Sequence, residues 1–237
     1  MSRALAEVVI ESPADAVAAQ AGGADRLELC VELHCGGLSP DAELLRATRA
    51  ATDLPVAVLV RSRPGDFVFA RHEVDTMVVQ AEELRAAGAA ALVFGAATPA
   101  GMPDADAVRR LRTVCGERDE EGSAELVFHR AFDGLRDQRA ALHLLAALDV
   151  DRILTSGHPK GCAHGVDALT ALVAEAGDAL TVMPGGGVRP ELLRPLVEQV
   201  GAREVHFSAR EVPTDPTDEL RVRAFVERLE LLGELFD

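Results

Sequence analysis

The 237-residue chain carries a formal charge of −15, which repels phosphate backbones and anionic membranes, and no cluster of Lys and Arg offsets this locally. Nucleic acid and membrane are therefore not expected partners, no apolar run reaches the ~18 residues of a spanning helix, and a soluble, cytoplasmic protein is the expectation. Hydrophobic residues make up 48% of the chain, enough for a sizeable core, and its four cysteines form no CxxC pair and read as reduced thiols.

Eight strand-like apolar runs begin near Leu5, Arg26, Pro55, Ala90, Glu125, Arg152, Leu180 and Glu204, each followed by a helix-like stretch. After LAEVVI, Ser12-Pro13 is a strong helix start, with Ser as N-cap and Pro in the first turn, and Gly22-Gly23 is the stop. RLELC is the second strand. The Gly-rich loop after it is long enough to fold over one end of the molecule, and Ser39-Pro40 opens the next helix. PVAVLVR is the third strand, RPGDF a turn, and an amphipathic helix is predicted from about Val74 to Ala87. AALVFG and ELVFHR follow, separated in part by the acidic run GERDEEGS, a solvated loop. RILTSG, LTVMPGGG with a helix opened by Arg189-Pro190, EVHFSAR, and a last amphipathic helix over Leu220 to Leu232 complete the series.

This alternation predicts one domain, residues 1–237, folded as a closed (β/α)8 TIM-like barrel, although such barrels typically take ~250 residues. An open doubly wound sheet would also alternate, but no GxGxxG fingerprint opens a dinucleotide-binding unit. Barrel active sites sit at the C-terminal strand ends. Because side chains alternate along a strand, one choice of facing places Glu7, Glu28, His129 and His206 in the mouth together.

A Glu and a His converging in a partly dry cavity can serve as base and acid, so Glu7, Glu28, His129, Asp133 and His206 are the candidate catalytic groups. The bland alternative pairs them with Arg26, Arg61 or Arg130 as satisfied ion pairs. For an anionic or phosphorylated small molecule the candidate ligands are Arg61, Asp66, Arg130, Ser156, Ser208 and Arg210. To these the Gly185, Gly186 and Gly187 turn before a helix start adds backbone N–H groups. A lyase or isomerase would suit this set. Schiff-base chemistry would not, since the only lysine, Lys160, lies on a loop, and neither GxSxG nor HExxH occurs.

Soft-metal binding is a separate reading. Cys30, His34 and Cys35 cluster in CVELHC, and Cys162 and His164 in GCAHG, which would suit Cu(I) or zinc, unless Cys30 is merely a small buried hydrophobe.

In order along nearly the whole chain, AQAGGADRLELC, RSRPGDF, LVFGA, FHRAFD, ILTSG, MPGGG and HFSAR resemble the successive signatures of the CutC copper-homeostasis family. The resemblance implies a cytosolic TIM-like barrel, often oligomeric (a dimer is the simplest case), associated with copper tolerance and in some members with Cu(I) held by cysteines. Cys30 matches one family cysteine, whereas Val9 and Phe207 stand where members carry others, which leaves Cys35 as the substitute ligand. The charged strand-end set lies at motif positions throughout.

Overall fold

The computed structural model describes residues 3–117, 122–212 and 214–233. The centre of the acidic run, 118–121, lies outside them. Eight parallel strands form one sheet: β1 (Leu5–Ile10), β2 (Arg26–Leu29), β3 (Val56–Leu59), β4 (Ala91–Phe94), β5 (Glu125–Phe128), β6 (Arg152–Thr155), β7 (Thr181–Pro184) and β8 (Glu204–Phe207). Their order is β7-β6-β5-β4-β3-β2-β1-β8, so the sheet curls until β7 meets β8. Among the described residues no hydrogen-bonded ladder joins these last two strands, and the barrel is nearly rather than fully closed. Strand β7 ends in Pro184, which has no N–H to offer a ladder.

The helices are α1 (Pro13–Ala21), α2 (Ala42–Ala50), α3 (Arg71–Ala86), α4 (Ala105–Cys115), α5 (Gln138–Ala146), α6 (Val166–Ala176) and α7 (Glu219–Gly233). None is long and apolar enough to cross a membrane. Ser12 caps α1 as expected, accepting from the Asp15 N–H. Two starts differ from expectation. Helix α2 is capped by Asp41, while the Ser39 hydroxyl accepts from the Arg61 N–H at 2.8 Å and ties the second loop to the end of β3. Helix α3 begins at Arg71, before Val74, because Glu73 accepts the Ala70 N–H at 2.7 Å and fixes an earlier turn. The helix predicted after Arg189-Pro190 is instead a 3-10 turn (Pro190–Leu192) and a π-type turn (Pro195–Gln199). Pro195 lacks the N–H that a continuous helix would direct to residue 191.

Strand parity separates two apolar layers. Val9, Cys30, Leu59, Val93, Val127 and Met183 fill the barrel interior, while Val8, Leu27, Val58, Phe128, Ile153 and Val205 pack outward under the helices. Below the interior layer, Arg26 reaches Glu7 and, at 2.7 Å, Glu204, while Arg152 joins Glu204 and, at 2.9 Å, Glu125. This charged floor closes the N-terminal side. The C-terminal side remains hollow.

Candidate active site at the barrel mouth

A cavity of about 590 Å³ opens at the C-terminal strand ends, lined by Glu28, Arg61, His129, Arg130, His206 and Arg210, with Gly186, Gly187 and Ser208 on its β7–β8 side. Register explains why Glu28 and His206 meet. Glu7 pairs with His206 across β1 and β8, and Val9 with Glu28 across β1 and β2, so β1 holds both partners beside it.

The His206 Nδ1 lies 2.9 Å from Glu7 Oε1 and 3.8 Å from Glu28 Oε2. Burial opposes charge on His206, but the Glu28 carboxylate and the bond to Glu7 outweigh it and raise its pKa. Burial pushes Glu28 up to about 7; the Glu7 charge adds to this, and His206 and Arg26 oppose it. Glu7 is likewise disfavoured by burial, yet Arg26 and the His206 bond hold it well below the usual carboxylate range. The three groups therefore titrate as one unit. Glu28 Oε2 is buried and has no hydrogen-bond partner.

His129 is set differently. The Ala131 N–H donates to its Nδ1 at 3.1 Å, which places the ring proton on Nε2, and that atom has no partner. Desolvation, with Arg61 and Arg130 nearby, pushes its pKa down to about 3. The ring is therefore neutral at physiological pH and carries its proton on Nε2. Gly95 makes room for it: a Cβ there would lie 2.4 Å from Nδ1.

Arg61 is the most informative cation. Its residue is 5% exposed, its guanidinium donates to the carbonyls of Gly36, Gly37 and Gly65, and it lies 4.8 Å above the Phe67 ring. Among the described residues no carboxylate pairs with it, and burial lowers its pKa. Arg130 lies over Gly186, where a Cβ would come within 2.6 Å of Cζ and where φ is +97°. Only glycine allows that approach.

Several expected site residues are bonded to other groups of the chain. Arg210, expected to hold an anion, binds Glu11 and, at 2.7 Å, Asp15, because α1 and β1 bring two carboxylates to the end of β8. Asp66 points to solvent and pairs with Arg63 at 3.1 Å, the RPGDF turn having carried it off the mouth. Asp133 accepts from Thr155, from Ser156 Oγ at 2.6 Å and from Arg130 Nε at 2.9 Å, so it ties Arg130 to the end of β6. Glu7 lies beneath the cavity, and Gly185 packs on Leu154 and His206. Three contributors carried weaker sequence signals: Gly95 in LVFGA, Phe67 in RSRPGDF, and Gly36, all small or apolar residues whose role is to shape the cavity.

Among the described residues no thiol joins a group of three potential metal ligands. Cys30 is 1% exposed, absent from the cavity lining, and burial beside Glu28 raises its pKa strongly. Cys35 donates to the Glu32 carbonyl. Cys162 is sealed under Gly185 and burial pushes its thiol up to about 12. Among the described residues the one group of three donors with ligand spacing is Glu7, Glu28 and His206, with no sulfur in it. These residues do not fit Cu(I), which prefers thiolates.

The CutC family model matches residues 4–211. The human copper homeostasis protein cutC homolog is 37% identical over 206 residues, covering 87% of this chain and 73% of that protein. A CutC-family protein of Xanthomonas campestris is 39% identical over 204 residues, covering 86% and 82%. Among solved structures, a copper homeostasis protein CutC from Streptococcus agalactiae superposes with a TM-score of 0.79 at 27% identity, covering 88% of this chain and 100% of that one. With motif order, barrel and matches over most of the chain in agreement, the chain belongs to the CutC copper-homeostasis family.

Proposed function

We propose that the barrel mouth binds an anionic small molecule and acts on it by chemistry of the lyase or isomerase type. One observation carries this reading: a buried guanidinium, Arg61, lines the cavity with no carboxylate partner among the described residues. A buried, unpaired cation is costly, and an anion entering the cavity would relieve that cost. Arg130 over Gly186 adds a second donor, and the Nε2–H of His129 offers a neutral one to a bound oxygen. Inorganic phosphate should bind with a stoichiometry of one by calorimetry. Arg61→Met should weaken it by ~10-fold or more, since a charge-assisted bond contributes about 1.5–3 kcal/mol. Equal affinity in both proteins would refute the assignment.

The relatives are named for copper homeostasis, and a Cu(I) site centred on Cys30 is the competing reading. Its burial, its raised pKa and the absence, among the described residues, of any cysteine from the cavity lining speak against it. Anaerobic titration against a Cu(I) chelator should find equal, weak binding by wild type and Cys30→Ser. A large loss of affinity in the variant would restore the copper site.

A further inference from the structure

We infer that Glu7, Glu28 and His206 form a binding site for one divalent transition ion at the base of the cavity, with an open coordination position facing the mouth. Three independent features carry this. The donor atoms all lie within 4.8 Å of one another, with Nδ1 at 2.9 Å from one carboxylate oxygen and 3.8 Å from the other. A tetrahedral ion with ligands at ~2.0–2.2 Å holds its donors ~3.4 Å apart, so only small side-chain shifts separate this arrangement from a formed site.

The second feature is an unmet valence. The Glu28 side chain is 8% exposed, and its Oε2 faces His206 with no hydrogen-bond donor of its own. Buried carboxylate oxygens are rarely left so, and a cation is the partner the geometry lacks. The third is local charge. Three buried carboxylates, Glu7, Glu28 and Glu204, share two guanidiniums, Arg26 and Arg152, and the latter also serves the half-exposed Glu125.

Two carboxylates and one imidazole are a borderline-to-hard donor set, suited to zinc, manganese or cobalt(II) rather than Cu(I). Arg26, bonded to the second oxygen of Glu7, would orient that ligand from behind. Glu28 and His206 both line the cavity, so an ion held by them would present its free position to whatever Arg61 binds. That last step rests on the anion reading. Metal binding itself does not.

The test uses the chelator-treated full chain and Zn2+ alone, with Co2+ as a spectroscopic substitute. One equivalent of Zn2+ should bind, and Glu28→Gln and His206→Gln should each weaken it by ~100-fold or more. Cys30→Ser should leave it unchanged. Bound Co2+ should show d–d bands of a low-coordinate site without a thiolate charge-transfer band. Absence of binding, equal binding by the Glu28 and His206 variants, or loss in Cys30→Ser would each overturn the site. Because Glu28→Gln is nearly isosteric, circular dichroism on both variants separates a lost ligand from a lost fold. Should Zn2+ fail to bind while phosphate still binds through Arg61, the metal site falls and the anion site stands.

Discussion

Replacing Arg26 with Met should lower unfolding free energy by about 3–5 kcal/mol, with a fall in Tm of roughly 10 °C for a chain of this size. The guanidinium is bonded to both Glu7 and Glu204, whose side chains are 2% and 11% exposed. Met fills similar volume and supplies no charge. Glu204 keeps Arg152, but Glu7 is left with His206 alone, and a buried carboxylate stripped of its cation is what makes such changes severe. Arg63→Met is the control. Its partners Asp66 and Glu73 lie at the surface, where such pairs contribute about 0–1 kcal/mol. Denaturant unfolding of the two variants should separate them clearly, and equal losses would mean that the charged floor contributes no more than a surface pair.

His129→Asn should gain on wild type by about 3 kcal/mol as pH falls from 7 to 4. The folded pKa of His129 is pushed down to about 3, below the ordinary 6.5, chiefly by burial and then by Arg61. A depressed folded pKa means that the unfolded chain binds the extra proton first, so the stability associated with this residue is fully present above pH 6.5. It drains away as pH falls toward the folded value. Over the 2.5 units from 6.5 to 4, at 1.36 kcal/mol per unit, the loss approaches 3 kcal/mol. Asn does not titrate and escapes it. At pH 7 the variant should be the less stable protein, because the contact with Phe67 at 4.8 Å and the Nδ1 bond from Ala131 are lost or weakened. Unfolding at both pH values measures the change in the difference, and a constant difference would show that His129 titrates normally.

Much of this arrangement was legible in the sequence because it depends on local periodicity. Eight apolar runs at even spacing specify a barrel, and the period-two alternation put Glu28, His129 and His206 on the inner face. Alternation states the face but not the depth. Glu7 shares that face yet lies below the cavity, because register with Arg26 draws it into the floor. Choice of partner is also invisible locally. Arg210 is 199 residues from Glu11 and 195 from Asp15, and only closure of the barrel brings them together. Asp133 reads as a catalytic acid in FHRAFD, but the turn Arg130–Gly134 curls it back onto β6. The broken helical segment after β7 traces to Pro195, whose missing N–H changes backbone pairing without disturbing the hydrophobic pattern, and Pro184 removes one N–H from the unpaired seam between β7 and β8.

The unpaired guanidinium of Arg61 is the centre of the functional reading, and a crystal structure of the protein soaked in phosphate tests it most directly. The account predicts a phosphate in the mouth, within hydrogen-bond reach of Arg61 and of Arg130 or the Gly186–Gly187 backbone. A mouth without phosphate, with Arg61 turned onto a carboxylate of its own chain, would contradict it.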